Sequence, residues 1–160
     1  MKKKSEEPKE FETVKTAIGE EHFPPCIKKI YSGMQDGKKR AVFILINFLS
    51  TCGWDYDKIE SNLLEWNKKN PEPMRENIII GQCRYAKAQN KKVLPPNCDN
   101  QMYYRDLQIC FPDNFCRKIK NPANYTIIKN KIKMKVKQEE EEKQAKKEAR
   151  EARAGKKKKL

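Results

Sequence analysis

The run Ile109-Cys110-Phe111-Pro112-Asp113-Asn114-Phe115-Cys116 governs how we expect this chain to fold. It holds two of four cysteines that each stand at a turn marked by proline or aspartate. The other two are Cys98, after Leu94-Pro95-Pro96-Asn97, and Cys26, after His22-Phe23-Pro24-Pro25. One cysteine therefore lies near the start and three are grouped late, with no Cys-x-x-Cys pair in the sequence.

Four thiolates without a nearby histidine suit either a structural zinc ion or an iron–sulfur cluster. Structural zinc sites are usually built from two close cysteine pairs, each on its own tight turn. Widely spaced single ligands better suit a larger, buried cluster enclosed by several helices. We therefore expect Cys26, Cys98, Cys110 and Cys116 to bind a metal centre. Cys52 and Cys83 lie inside apolar helical patterns and are expected to be structural core residues.

The chain has 160 residues, of which 37% are hydrophobic and 36% charged. Such a length allows one domain with tails. Isoleucine, leucine and aromatic residues concentrate between residues 23 and 125, so a small core is expected there. A domain of about 100 residues is marginally stable by itself, and a cluster that links distant segments would add stability.

The net charge of +14 is spread over two regions. Residues 131–160 hold 13 Lys/Arg against 6 Glu, a net +7, and the rest of the chain supplies the other +7. A basic body together with a basic tail indicates a polyanionic partner, most simply nucleic acid.

The first residues carry no secretory pattern, and the longest apolar run, residues 41–49, is too short to span a membrane. We therefore expect a cytoplasmic, nucleoid-associated protein with no membrane partner. In a reducing compartment, six cysteines favour metal binding over disulfides.

The sequence predicts an all-α domain at residues 21–130, between a disordered charged arm (1–20) and a Lys/Glu-rich helical or disordered tail (131–160). A short helix is expected to begin at Pro25 and to end near Gly33. A buried helix follows over residues 38–49, with a glycine stop at Gly53. Asp55 or Asp57 is expected to cap the next helix, and a further helix is predicted to start at Pro73.

Basic and aromatic residues recur together along this domain, as in proteins that bind unpaired nucleic acid. Cations neutralise phosphates, and tyrosine rings can stack on bases, although core packing is an equally good explanation for the tyrosines. The candidate contact residues are Lys38, Lys39, Arg40, Arg84, Tyr85, Tyr103 and Tyr104.

Patterns typical of catalysis are missing from the sequence. It has no Gly-rich phosphate loop, no convincing Cys–His nucleophile pair and no evident paired carboxylates for two-metal phosphoryl transfer. We therefore expect a noncatalytic protein.

Taken in order, these features resemble a known family. They are Phe23-Pro24-Pro25-Cys26, the basic-then-apolar helix, Pro96-Asn97-Cys98, Ile109-Cys110, and Cys116 followed by Asn121-Pro122 and Tyr125. They are similar to the C-terminal iron–sulfur domain of the large, noncatalytic subunit of archaeal and eukaryotic DNA primase. The resemblance covers roughly residues 23–125.

The resemblance implies one [4Fe-4S] cluster per chain, bound by Cys26, Cys98, Cys110 and Cys116 inside a helical domain. It also implies a role in starting RNA primers in DNA replication, through contacts with single-stranded template, the initiating nucleotide and the primer 5′ end. The partner would be the catalytic small subunit. The family's basic patch would fall on residues 38–40. Only about 20 residues precede Phe23, so a separate polypeptide could supply the usual docking domain.

Two other functions fit some of the same features. A zinc-dependent nucleic-acid-binding module, perhaps ribosome-associated, would be colourless and would show steep salt dependence of binding. An electron-transfer protein would need an exposed cluster, and the positive charge gives no reason for one.

Overall fold

The computed structural model describes residues 14–89 and 91–159, and all regular elements within these ranges are helical. No strand occurs in them, which confirms the predicted all-α class. The five α-helices are α1 (Pro25–Tyr31), α2 (Lys38–Thr51), α3 (Tyr56–Lys68), α4 (Glu76–Ala88) and α5 (Pro122–Lys157), and 3₁₀ turns occupy Glu20–His22 and Cys116–Lys118.

Helix α2 is the centre of the core. Ten of its fourteen residues are buried, and it packs against α3, α4 and the start of α5. Its apolar residues are thus enclosed on nearly all sides, as expected of a helix without a polar stripe. The predicted glycine stop is confirmed: Gly53 adopts the left-handed φ of 89°, and the amide of Trp54 donates to the Leu49 carbonyl (3.0 Å).

Helices α1 and α3 pack on this centre through tryptophan and tyrosine side chains. Pro25 begins α1, as predicted, and Gly33 follows its end with a φ of 105°. The Asp55 side chain accepts from the amide of Lys58 (2.8 Å), which confirms the predicted cap of α3. Trp66 of α3 donates through Nε1 to the carbonyl of Ile30 (2.8 Å) and so joins the two helices.

Helix α4 begins at Glu76, three residues later than the predicted start at Pro73. The reason is a long-range contact that local propensity does not reveal. The Asn67 side chain accepts from the amide of Met74 (2.8 Å) and donates to its carbonyl (2.9 Å), which holds this loop against the end of α3.

The packed part of the chain extends upstream of residue 21, where the sequence analysis placed the domain boundary. Ile18 is buried, its amide donates to the Cys52 carbonyl (3.0 Å), and its own carbonyl accepts from Trp54 Nε1 (2.9 Å). Residues 1–13 of the predicted arm lie outside the described residues.

Helix α5 has 36 residues, of which only the first two turns reach the core. Asn121 caps it, Pro122 occupies its first position, and Tyr125 and Ile127 are buried. The Asn121-Pro122 pair therefore starts a helix. From residue 131 to 159 every side chain is exposed, and of the two states predicted for the tail the structure has the helical one.

Between α4 and α5, residues 91–121 form no α-helix, and a single 3₁₀ turn is their only regular element. Loops of this length without secondary structure are uncommon in compact domains and are usually functional. Among the described residues, no helix combines the length and the apolar composition that crossing a membrane requires.

Candidate metal centre and nucleic-acid interface

The four cysteines singled out in the sequence line one cavity of about 150 Å³. They come from distant positions: Cys26 from the first turn of α1, Cys98 and Cys110 from the irregular segment, and Cys116 from the second 3₁₀ turn. Prolines and other largely apolar side chains complete the wall: Pro24, Pro25, Tyr104, Phe111, Pro112, Arg117, Ile119 and Pro122. Apart from the Tyr104 hydroxyl, the thiols are therefore the only metal-binding side-chain donors on this lining.

Backbone hydrogen bonds hold the loop of Cys98 against the start of α5. The amide of Cys98 donates to the Lys120 carbonyl (2.8 Å). The Asn121 side chain donates to the carbonyl of Pro95 (2.8 Å) and to Asn97 Oδ1 (3.0 Å), while its oxygen caps α5. One asparagine thus fixes the loop that carries Cys98 relative to the start of α5.

Tyr104 fixes the same loop from inside. Its side chain is buried, and its hydroxyl donates to the carbonyl of Pro96 (2.5 Å). Burial, together with the nearby Cys26 and Cys98, raises the pKa of this phenol. Its ring is enclosed, so it offers no surface to a base, and the structure corrects the expectation that Tyr104 contacts nucleic acid.

A polar chain leads from Cys116 towards solvent. The amide of Cys116 donates to Asp113 Oδ1 (3.0 Å), and the Tyr125 hydroxyl donates to Asp113 Oδ2 (2.6 Å). Lys129 Nζ donates to the Tyr125 oxygen (2.8 Å). Burial acts to raise the pKa of Asp113, but the hydrogen bonds from Tyr125 and Cys116 outweigh it and leave that pKa lowered.

The thiols crowd one another. Burial raises the pKa of Cys26, and the neighbouring Cys98 raises it further. Burial and the thiols of Cys116 and Cys110 raise the pKa of Cys98 to about 11. A cluster of thiols in an apolar wall holds its protons unless a cation compensates the charge, as a metal does when it binds thiolates.

The four thiols on one lining are the donor set of either a structural zinc ion or an iron–sulfur cluster. In the described part of the chain, no group of three or more His, Cys, Asp or Glu residues is already drawn together around the position of one metal ion.

The remaining two cysteines behave as the sequence predicted. Cys52 and Cys83 are buried among the core side chains and take no part in the cavity. Burial raises the pKa of each to about 12, with Glu60 adding to the effect at Cys83.

The predicted basic patch lies at the first turn of α2. Lys38, Lys39 and Arg40 are its first three residues, no acidic side chain lies in that turn, and no side chain caps its amides. The helix dipole is positive at this end, so three cations there are locally unfavourable without an anion. Free amides and cations together make an anion site.

A polar cavity of about 350 Å³ opens beside this turn, and its lining holds the cations Lys29 and Arg40 together with the carboxylates Asp36 and Asp106. Arg40 also donates to the carbonyl of Met102 (2.6 Å), which joins α2 to the irregular segment. The approach is close, since a Cβ at Gly37 would clash with Leu107 Cδ2. Gln108, on the same cavity, has a left-handed φ of 55°.

This polar cavity and the cysteine cavity are neighbours. Ile109 lines the first and Cys110 lines the second. Lys29 of α1, which lines the polar cavity, also lies 5.8 Å from the ring centroid of Phe111 on the cysteine cavity. A metal centre at the cysteines would thus support one wall of the polar cavity.

Two aromatic candidates remain on the surface. Tyr85 is 68% exposed on α4 beside the exposed Arg84, and it borders an apolar cavity of about 480 Å³ with Phe43. Tyr103 is half-buried and stacks on Phe43, with ring centroids 5.6 Å apart. None of Arg84, Tyr85 and Tyr103 lies on the lining of the polar cavity beside α2.

Sequence reasoning missed several residues of this region. Asp113, Tyr125 and Lys129 form the chain behind Cys116, and Lys29 joins the two cavities. The Pro-Asp turn before Cys116 was a local signal for Asp113. Nothing local singled out Lys29, because its role depends on where α1 meets the irregular segment.

Comparisons with protein families, with curated proteins and with solved structures find no match to this chain.

Proposed function

We propose that this chain is a noncatalytic accessory domain of a DNA primase that holds a [4Fe-4S] cluster. The observation that carries the proposal is that four cysteines, spread over ninety positions, line one cavity. The primase resemblance of the sequence assigns ligand roles to these same four residues. Bulk packing gives no reason for four thiols to meet, since Cys52 and Cys83 satisfy the ordinary preference of cysteine for the core.

Cys26, Cys98, Cys110 and Cys116 would hold the cluster. When bound, it would supply a rigid link between α1 and the irregular segment, and a centre able to change its charge by one electron. The chain's own groups shape the site around it. Asp113 accepts from the amide of Cys116, and largely apolar side chains form the wall around the sulfurs.

The basic turn of α2 is where phosphate would bind. Its free amides and the cations of Lys39 and Arg40 favour an anion such as the triphosphate of an initiating nucleotide or of a primer 5′ end. Primer initiation brings two nucleotides and a template together, which is a problem of orientation. A cation held in position loses little side-chain entropy on binding, so a rigid wall beside the cysteine centre favours this role.

The proposed partners follow from this role. They are single-stranded template DNA, the initiating nucleotide or RNA primer, and the catalytic small subunit. The catalytic carboxylates would belong to the small subunit. The proposed location is the cytoplasm, in association with the nucleoid.

Metal analysis of anaerobically purified protein tests the cofactor. We expect about four iron atoms and four sulfides per chain, a brown colour and visible absorbance that bleaches with dithionite. About one zinc per colourless chain would replace this proposal with the zinc-dependent nucleic-acid-binding module.

A primer-initiation assay with a catalytic primase subunit tests the function. Addition of the chain should increase initiation, and Lys39→Gln should raise the nucleotide concentration needed for half-maximal initiation. Lys68→Gln is the control, because it removes another exposed cation, at the end of α3, which pairs with Glu65. No effect of the wild-type chain on initiation would overturn the primase role even with iron present.

A further inference from the structure

The exposed half of α5 carries a row of cations that neither the fold nor the proposed function uses. Residues 143–159 contain nine Lys/Arg and two Glu, a net +7. This equals the net charge of residues 131–160, because the lysines between 131 and 137 are matched in number by Glu139–Glu142. The positive charge of the tail is therefore concentrated at its far end.

Five of these cations share one face of the helix. They are spaced three or four residues apart and line one shallow depression on its surface; we call them the cationic stripe: Lys143, Lys146, Lys147, Arg150 and Arg153. Side chains at this spacing are neighbours on a helix. The two glutamates of the same region, Glu148 and Glu151, are not part of the depression.

Like charges are neighbours within the stripe, and each such pair three or four residues apart costs a few tenths of a kcal/mol. None of the five stripe cations forms an ion pair with another described residue, while Lys137 lies 4.0 Å from Glu141. The stripe is therefore open to an anion from outside the chain.

We propose that the cationic stripe binds the phosphate backbone of duplex nucleic acid, without regard to sequence. The five residues span roughly 15 Å of helix, and a B-form duplex presents one phosphate charge per about 1.7 Å of its axis. A single strand presents half that density, so a straight row of cations gains more from a duplex. This inference goes beyond the proposed function and does not depend on the cluster.

An anionic membrane surface is a less favoured partner for the cationic stripe. A helix that lies in a membrane interface needs an apolar face beneath its cations. Between residues 143 and 157 the uncharged residues are alanines, one glutamine and Gly155. The exposed Ile132, Met134 and Val136 all lie before the stripe.

Fluorescence anisotropy with a labelled 30-base-pair duplex tests the proposal on the full chain with its native metal content. The variant Lys147→Gln/Arg150→Gln replaces two stripe cations by glutamine, which is itself a good helix former. We expect roughly tenfold weaker binding at fixed salt and a salt slope of the binding constant less steep by about 2.

Lys133→Gln/Lys137→Gln is the matched control. It removes the same charge from the same helix, at lysines that lie 3.7 Å from Glu21 and 4.0 Å from Glu141. We expect its affinity and salt slope to stay close to wild type. Equal losses of duplex affinity in the two variants would overturn the proposal, because net charge alone would then explain binding.

Two further arms complete the test. If the stripe variant loses as much affinity for a 30-nucleotide single strand as for the duplex, the assignment to duplex is overturned. Binding to phosphatidylserine vesicles that the stripe variant abolishes would overturn it in favour of a membrane. Helical circular dichroism and metal content, measured for each variant, verify that α5 and the metal centre are intact, so a failure here is distinct from a failure of the primase proposal.

Discussion

The helical core and the irregular segment at residues 91–121 are held together in different ways. In the core, α2 is enclosed by α3, α4 and the start of α5, and side chains such as Leu45 and Leu63 are fully buried. The irregular segment buries few large side chains, chiefly Tyr104, Leu107 and Ile109. Otherwise single hydrogen bonds hold this segment to the rest of the domain, and it meets α1 at the cavity that the four thiols line.

Packing stabilises one half of this domain, and under the proposed function a bound cluster would stabilise the other. Ordering the segment at residues 91–121 costs conformational entropy, and few buried side chains are present to offset it. A centre bound by Cys98, Cys110 and Cys116 would tie this segment at three points and join it to α1 through Cys26. Each prediction below separates the two halves.

The largest effect is expected from Cys110→Ser. Loss of one ligand should abolish iron binding and leave residues 91–121 open to amide hydrogen exchange, while α2 and α3 stay protected. Metal analysis and hydrogen exchange measured by mass spectrometry check this. Cys83→Ala, which removes a core thiol, is the control and should keep the metal; equal iron loss in both would contradict the division.

Leu63→Ala should affect the other half. The side chain is fully buried in α3, so the cavity left behind should lower the free energy of unfolding by about 2–5 kcal/mol. Denaturant unfolding measures this, and the iron content of the folded protein should equal that of wild type. Loss of metal at full folding would show that the two halves are not separable.

Asn121→Ala cuts the connection between the halves. It removes the cap of α5 and two donated bonds to the 95–97 loop, and should destabilise the protein by about 1–3 kcal/mol. Iron release to a chelator should also become faster. Asn62→Ala is the control, since it removes one bond between α1 and α3; similar rates of iron release in the two would contradict a special role for Asn121.

The smallest effect concerns alkaline pH. The folded pKa of Cys52 is about 12 and its ordinary value is 9.0, so the unfolded chain releases a proton that the folded chain keeps. This stabilising contribution is complete below pH 9 and is lost as pH rises towards 12. Cys52→Ala should reduce the fall in unfolding free energy over pH 9–11 by up to about 1.4 kcal/mol per pH unit. An unchanged slope in urea titrations would contradict the burial argument.

Local sequence signals predicted several elements correctly. Pro25, Gly53 and Asp55 each act within a few residues of their own position, and all three do what was expected of them. The predicted start of α4 was wrong, because the Asn67 side chain binds the Met74 backbone across a loop, and sequence spacing does not reveal this contact. The sequence could not tell the environments of Tyr103 and Tyr104 apart either, because the two are adjacent in the chain. In the structure Tyr104 is buried and Tyr103 stacks on Phe43.

The sequence by itself determined the helical class, the place of the core helix and the identity of the four thiols, because proline, glycine and apolar spacing act locally on the backbone. The tertiary structure decided that those thiols share one cavity and that a polar cavity beside the first turn of α2 adjoins it. It also decided which tyrosine is enclosed. These facts depend on how segments far apart in the chain pack together, and that packing follows from the shape of the whole core.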